Sequence, residues 1–216
     1  MKFYIGVGLL TVFVLWTVAV RLVEVRPIGP QGSTVGFATL NGFVHRCIGV
    51  HMALYTLTDW LSLVPIAFVA GFAVLGLVQW IKRKHILKVD RSLLALGGFY
   101  IIVMAAYLLF EMVVINYRPL LIADVLEASY PSSTTMLILC VMPTAVHQLR
   151  TRIHSAALRK VVTGAAMTFA VLMVVLRLIA GVHWITDIIG GILLSAGLVM
   201  LYLAVNQWIT IKNPHV

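Results

Sequence analysis

Long apolar runs separated by short polar links extend along almost the whole chain. Six of these runs are near the roughly 20 residues that a helix needs to cross a bilayer. The chain has no internal repeat and no low-complexity segment, so residues 1–216 form one membrane domain. The pattern predicts an all-α integral membrane bundle of six transmembrane helices, at Phe3–Val20, Leu61–Ile81, Leu93–Ile115, Thr135–Leu149, Val161–Ile179 and Ile185–Val205.

Between the first two spans, the segment Phe37–Leu57 carries apolar residues at helical spacing. It predicts an amphipathic helix lying in the membrane interface. His45 and His51 lie on this segment, but no Cys, His or Asp is suitably spaced beside them. They are interpreted as interfacial polar residues rather than metal ligands.

Composition supports the membrane assignment. Apolar residues make up 62% of the chain and charged residues only 11%, where a soluble domain carries about 25% charged residues. The first run resembles a signal peptide, but Arg21 follows it directly and no small-residue cleavage site is evident, so it is predicted to be a retained helix. Cys47 and Cys140 are far apart and have no metal-ligand spacing, and no disulfide is predicted.

The positive charges predict the orientation. Residues 82–91 and 150–160 are rich in Lys and Arg, and by the positive-inside rule both links lie in the cytoplasm, together with both chain termini. Residues 21–60, 116–134 and 180–184 then face outward. Because the net charge of +9 is gathered in these short links, it indicates topology rather than nucleic-acid binding.

Candidate chemistry begins with Arg177, His183 and Asp187, which fall within eleven residues. On a helix, residues four apart share a face, so the Asp187 carboxylate can reach one imidazole nitrogen of His183. The other nitrogen is free to attack an electrophile whose oxygens Arg177 could hold. Ionisable groups at membrane depth are costly unless paired or hydrated, which makes them functional candidates. The pattern indicates a histidine nucleophile that acts on phosphorus.

Two further polar clusters are predicted on the same membrane face as His183. One contains Arg118, just past the third span. The other runs through Ser132, Ser133 and Thr134, at the predicted start of the fourth span. A helix N-terminus offers unpaired N–H groups and a partial positive charge, so it is suited to bind phosphate.

These residues, in this order, resemble the motifs of the type-2 phosphatidic acid phosphatase superfamily. Its first motif is a lysine, six residues and Arg-Pro. Arg118-Pro119 matches, but Glu111 stands at the lysine position. Its second motif, Pro-Ser-Gly-His, here reads Pro131-Ser-Ser-Thr134. Its third is Ser-Arg, five residues, His, three residues and Asp, which matches at Arg177, His183 and Asp187, with Leu176 in place of the serine.

The resemblance implies a two-step phosphoryl transfer in the membrane, without a metal ion or other cofactor. His183 would attack phosphorus while Asp187 stabilises the imidazolium. The phosphoryl oxygens would be bound by Arg118, Arg177 and the second motif, Ser132, Ser133 and Thr134. In the family the histidine of the second motif protonates the leaving group, which the Thr134 hydroxyl cannot do. On a continuous helix Glu111 would lie two turns below Arg118, and could pair with Arg118 or Arg177 or be protonated by burial.

Three hypotheses are consistent with these departures. The substrate is a diphosphate whose leaving group needs no proton, best matched by an isoprenoid carrier diphosphate of cell-wall synthesis. Alternatively, another acid such as Glu111 or Glu127 protonates the leaving group. In the third hypothesis the chain is not an enzyme, and binds or transports a lipid phosphate in the same pocket. The sequence does not define an oligomeric state.

Overall fold

The computed structural model describes residues 1–212, which form an all-α bundle, as predicted. Its α-helices are α1 (Lys2–Leu22), α2 (Ala38–Ile48), α3 (Met52–Leu61), α4 (Leu63–Arg83), α5 (Arg91–Met112), α6 (Ser133–Arg150), α7 (Ala156–Ile179) and α8 (Ile185–Lys212). Five stretches of the described residues are long and apolar enough to cross a membrane: α1, α3 continued by α4, α5, α7 and most of α8. The chain is therefore a multi-pass membrane protein.

The fourth predicted span corresponds to α6, which differs from the other spans in its surroundings. It packs against α4, α5, α7 and α8, and more than half of its residues are buried. Four of them are polar, Thr134, Thr135, Thr144 and Gln148. Thr144 donates to the Cys140 carbonyl at 2.7 Å, and Gln148 donates to the Tyr202 hydroxyl at 2.8 Å. A helix enclosed by protein can carry such groups because its neighbours satisfy their hydrogen bonds. α6 thus forms the centre of the bundle.

α1 and α8 cross at two glycines. A Cβ atom on Gly6 would lie 2.8 Å from the Leu201 side chain, and one on Gly197 would lie 2.7 Å from Leu10. Small residues at such crossings let helix backbones approach closely, which is how helices gain packing energy in lipid. α1 is therefore an integral part of the bundle.

The single amphipathic helix predicted at Phe37–Leu57 is wrong. The segment forms two helices, α2 and α3, because the chain turns at Gly49, whose φ is +74°. A Cβ atom on Gly181 would lie 1.9 Å from the Gly49 carbonyl oxygen, so the two loops are in direct backbone contact. α3 then continues into α4, and the second span begins at Met52 rather than at Leu61.

The two ends of the bundle are joined by different contacts. At one end, the Asp90 carboxylate accepts hydrogen bonds from Gln79 at 2.8 Å and Arg83 at 3.0 Å, and lies 3.7 Å from Arg152. These contacts connect the two basic links. At the other end, the loops that follow α1, α5 and α7 meet the first turns of α6 and α8. The second end holds the candidate site.

Candidate active site

The loop between α5 and α6 folds back on itself and carries Arg118 into the bundle. Ser129 N–H donates to the Asn116 carbonyl at 2.9 Å, and Arg118 N–H donates to the Glu127 carbonyl at 3.0 Å. The loop ends at a cis Tyr130–Pro131 peptide bond, and Ser132 is the N-cap of α6. This pairing places Asn116, Arg118 and Ser129 beside the start of α6.

The start of α8 is held by residues from distant parts of the chain. The side-chain oxygen Oδ1 of Asn41 accepts from the Thr186 N–H at 3.3 Å, and so satisfies one of the free N–H groups of the first turn. The Trp184 indole donates to the Tyr117 carbonyl at 2.8 Å, and Ser132 N–H donates to the Asp187 carbonyl at 3.1 Å. The three predicted clusters therefore meet, although they are far apart in sequence.

His183 is 3% exposed and lies among these elements. Its Nδ1 is 3.1 Å from the Ser129 carbonyl oxygen, and only an N–H can bond to that acceptor. Nε2 is 3.5 Å from a terminal guanidinium nitrogen of Arg118. Burial, together with the nearby charges of Arg118 and Arg177, lowers the pKa of His183 to about 4. The imidazole is therefore neutral at pH 7, with its proton on Nδ1 and a lone pair on Nε2.

Asp187 is fully buried and is oriented by two hydrogen bonds. Oδ1 accepts from the Asn116 amide at 3.0 Å, and Oδ2 accepts from the Trp184 backbone N–H at 3.0 Å. Oδ2 also lies 3.8 Å from His183 Nδ1. That distance is too long for a hydrogen bond but close enough for strong electrostatic attraction to an imidazolium. The structure thus brings the predicted pair together, while the direct partner of Nδ1 is Ser129.

Arg177 is 2% exposed, and its side-chain hydrogen-bond partners lie on α3. One terminal nitrogen donates to the Thr58 hydroxyl at 3.0 Å and to Asp59 Oδ1 at 2.9 Å. The guanidinium carbon lies 4.8 Å from the centre of the Tyr55 ring, close enough for a cation–π contact. Buried Nε has no hydrogen-bond acceptor within the described part of the chain.

Arg118 is also buried and also faces Tyr55, at 6.0 Å from the ring centre. Its Nε lies 2.9 Å from Glu127 Oε2, an ion-pair distance, although the N–H direction does not meet hydrogen-bond geometry. The Tyr55 ring is thus shared by both arginines. They converge as predicted, but each already has a carboxylate partner.

The second predicted cluster divides between two cavities. Ser132 is fully buried and accepts a hydrogen bond from the Thr135 hydroxyl at 3.1 Å. Ser133 and His183 line a cavity of about 10 Å³, which is too small for a phosphate. Ser133 and Thr134 also line a larger cavity of about 310 Å³, whose other lining residues are mostly apolar residues of α4, α5 and α6, together with Asp59 of α3. The two cavities share Tyr107, Ser133 and Met136, so the small cavity at His183 is adjacent to the larger apolar one.

The predicted geometry of Glu111 is wrong in one respect. α5 ends at Met112, so Glu111 and Arg118 do not lie on one continuous helix. Glu111 is exposed and lines the small cavity beside His183. The partners of Arg118 and Arg177 are instead Glu127 and Asp59.

Several residues of the site had no role assigned from the sequence. Asn116 and Ser129 hold Asp187 and His183, and α3 supplies Tyr55, Thr58 and Asp59. Tyr55 lies within the segment interpreted as interfacial, and Thr58 and Asp59 directly follow that segment. All three lie about 120 residues before Arg177, and no local spacing links them to it. An acidic residue at the start of an apolar span was the available signal, since such charges are costly unless paired.

The fold and site define a helical membrane protein with a buried histidine beside two arginines. Residues 112–211 match the sequence model of the PAP2 superfamily. Among solved structures, the first transmembrane PAP2-type phosphatidylglycerolphosphate phosphatase from Bacillus subtilis is similar, with a TM-score of 0.63 and 20% sequence identity. The similarity covers 94% of this chain and 96% of that one. No match was found among curated proteins. The matched residues 112–211 include Arg118, His183 and Asp187, so the match confirms the resemblance to the PAP2 superfamily drawn from these motifs.

Proposed function

We propose that the chain is a membrane phosphohydrolase that removes phosphate from a lipid phosphate or diphosphate through a phosphohistidine at His183. The observation that carries this proposal is the state of the imidazole. Because Nδ1 is bonded to the Ser129 carbonyl, Nε2 carries the lone pair and accepts a long hydrogen bond from Arg118 at 3.5 Å. The nucleophilic nitrogen therefore lies beside a guanidinium that can bind the phosphoryl oxygens.

The proposed reaction has two steps. Nε2 of His183 attacks phosphorus, the bond from phosphorus to the leaving oxygen breaks, and the electron pair leaves with that oxygen. The phosphorylated ring is cationic, and Asp187 lies 3.8 Å from its Nδ1 to stabilise that charge. Water then attacks phosphorus, the bond to Nε2 breaks, a proton from the water passes to solvent, and inorganic phosphate leaves.

The two arginines are suited to hold the phosphoryl oxygens. A guanidinium binds phosphate through two parallel N–H groups, and such charge-assisted bonds are stronger than neutral ones. Arg118 and Arg177 flank the same Tyr55 ring and are both close enough to His183 to lower its pKa. Each guanidinium has five N–H donors, and buried Nε of Arg177 has no acceptor among the described residues, so donors remain for phosphate oxygens.

Thr134 supports a diphosphate as the substrate. Its hydroxyl is a poor acid, so an alkoxide leaving group would depart without a proton. A phosphate leaving group near neutral pH has no such need. Of the possible replacement acids, Glu127 is engaged with Arg118, and Glu111 is the one beside His183.

The apolar cavity next to Thr134 supports a lipid substrate. This cavity has a volume of about 310 Å³, is lined by α4, α5 and α6, and lies directly beside the start of α6. A hydrocarbon chain lying there could place its head group near Ser133, which also lines the small cavity at His183. An isoprenoid carrier diphosphate fits both this cavity and the leaving-group argument. We further propose that the site faces outward, because the basic links lie at the opposite end of the bundle.

A second function is favoured by one specific observation. Both arginines are paired with carboxylates, and Thr134 and Glu111 stand where the family has a histidine and a lysine. A protein that binds or transports a lipid phosphate without hydrolysis could tolerate these changes. It would not need the Asp187 carboxylate beside His183.

Phosphate release from lipid substrates in detergent tests the proposal. Phosphatidic acid and an isoprenoid diphosphate are compared for the wild type and for His183→Ala. The matched control is His154→Ala, which removes an exposed histidine at the opposite end. Release from the diphosphate by the wild type and His154→Ala, but not by His183→Ala, is the expected result. Tight binding of both lipids with no release would favour the transport alternative.

A further inference from the structure

The carboxylates that pair with the two arginines are more exposed than the arginines. The Arg177 side chain is 2% exposed and that of Asp59 is 45%, while Arg118 is 10% exposed and Glu127 is 38%. A head group that approaches from the solvent side therefore meets the carboxylates first.

The formal charges of the site do not favour a simple anion. Arg118 and Arg177 supply two positive charges. Asp59, Glu111, Glu127 and Asp187 supply four negative charges, and His183 is neutral. A phosphate dianion that displaced both carboxylates would leave them unpaired beside a like charge, which is unfavourable in a partly buried site.

The site nevertheless retains capacity for an anionic ligand. Buried Nε of Arg177 has no acceptor among the described residues, and an unpaired buried donor is costly. The cavity beside His183 is only about 10 Å³, so a head group that reaches His183 must displace side chains around it. If phosphate displaces a carboxylate from its arginine, the carboxylate keeps a partner only when the ligand also carries a positive charge.

We propose that the head group carries a protonated amine close to the phosphate that His183 attacks. Asp59 and Glu127 bind the amine, while Arg118 and Arg177 take the phosphate oxygens. The preferred substrates are thus lipid phosphates or diphosphates with such an amine, and an isoprenoid diphosphate without one is bound more weakly. This inference rests on the proposed function and makes Asp59 and Glu127 specificity-determining residues. Each charge of the two resting ion pairs then has a partner in the complex.

Two soluble diphosphate mimics test this inference without requiring turnover. Etidronate is a bisphosphonate without an amine, and pamidronate is a similar bisphosphonate with a primary amine two carbons from its central carbon. Calorimetry on the full chain in detergent measures the binding of each. We expect the wild type to bind pamidronate about tenfold more tightly, the equivalent of one moderate ion pair.

The matched variants identify the source of that preference. Asp59→Asn with Glu127→Gln should bind both bisphosphonates with similar affinity. Asp124→Asn should keep the wild-type preference, because Asp124 is exposed on the same loop as Glu127 and its φ of +62° suits asparagine. If the double variant fails to give a monodisperse protein, Glu127→Gln alone should show a reduced preference.

The outcomes separate this inference from the proposed function. Equal affinity of the wild type for both compounds, or a preference that persists in the double variant, would overturn the role of the amine. In either case, the proposed phosphate site would still be supported if the wild type binds etidronate and Arg177→Ala does not. Failure of the folded wild type to bind either compound would contradict the phosphate site itself, and the proposed function with it.

Discussion

The side-chain amide of Asn116 lies 3.0 Å from Oδ1 of Asp187, so the carboxylate beside His183 is held from outside its own helix. The second contact, from the Trp184 N–H to Oδ2, is local to the first turn of α8. Together they fix both oxygens of a carboxylate that has no exposure to solvent. This arrangement holds the Asp187 carboxylate beside the imidazole of His183, while the Nδ1 proton is donated to the Ser129 carbonyl instead.

Replacing that carboxylate tests its role in the reaction. Asp187→Asn should reduce turnover by about 10²–10⁴-fold, because the amide no longer balances the imidazolium. Asn116→Ala should cause a smaller loss, since the carboxylate keeps its bond to Trp184. Steady-state phosphate release measures both, with thermal unfolding in detergent as the control for folding. Normal turnover in Asp187→Asn would mean that His183 is structural.

The free energy of unfolding should depend on pH because His183 is protonated at a lower pH in the folded chain than in the unfolded chain. The pKa of His183 is about 4 in the folded chain, against an ordinary value of 6.5, so the unfolded chain binds a proton between these values and the folded chain does not. The folded state is therefore destabilised as the pH falls through this window, by about 2 kcal/mol between pH 7 and pH 5. His183→Gln should lack this component. The thermal unfolding midpoints of both proteins at the two pH values measure it, and equal shifts would contradict a buried, neutral His183.

The orientation of the bundle can be measured by cysteine labelling. Cys47 is exposed, so the background is Cys47→Ser, while Cys140 is fully buried. In intact cells, Val125→Cys in the loop that carries Arg118 should react with an impermeant maleimide. His154→Cys in the opposite loop should react only after lysis. The reverse pattern would place the site in the cytoplasm.

The leaving-group argument predicts substrate preference. The wild type should hydrolyse a diphosphate ester at least about a hundredfold faster than a phosphate monoester, since a general acid typically supplies about 10²–10⁴-fold. Thr134→His should raise the monoester rate, because Thr134 borders the larger cavity and an imidazole has room there. Glu111→Lys is tested alongside, since Glu111 repels a dianion. Equal wild-type rates on phosphatidic acid and an isoprenoid diphosphate would indicate a replacement acid.

Sequence periodicity predicted most of the fold because membrane spans are set by local composition. The ends of α5 and α6 each lie within three residues of the expected positions. The break at Gly49 was missed because it depends on a contact with Gly181 in a distant loop. A backbone contact between distant loops does not affect the local spacing of apolar residues, so the sequence pattern does not predict it.

The candidate site was predictable to the extent that its residues form motifs. Arg118, His183 and Asp187 carry spacing that a sequence reveals, and the structure places them together. Asp59 could not be linked to Arg177 by spacing, because the helices that carry them meet only in the bundle. Ser129 contributes through its backbone carbonyl, which no side-chain pattern identifies.

The central claim is that His183 becomes phosphorylated. The most direct measurement incubates the full chain with an isoprenoid diphosphate labelled at its terminal phosphate, quenches at alkaline pH and identifies the labelled peptide by mass spectrometry. We predict an acid-labile phosphoryl group on His183, absent from His183→Ala and retained in His154→Ala. Release of labelled phosphate without any adduct on His183, or equal release by His183→Ala, would contradict the account.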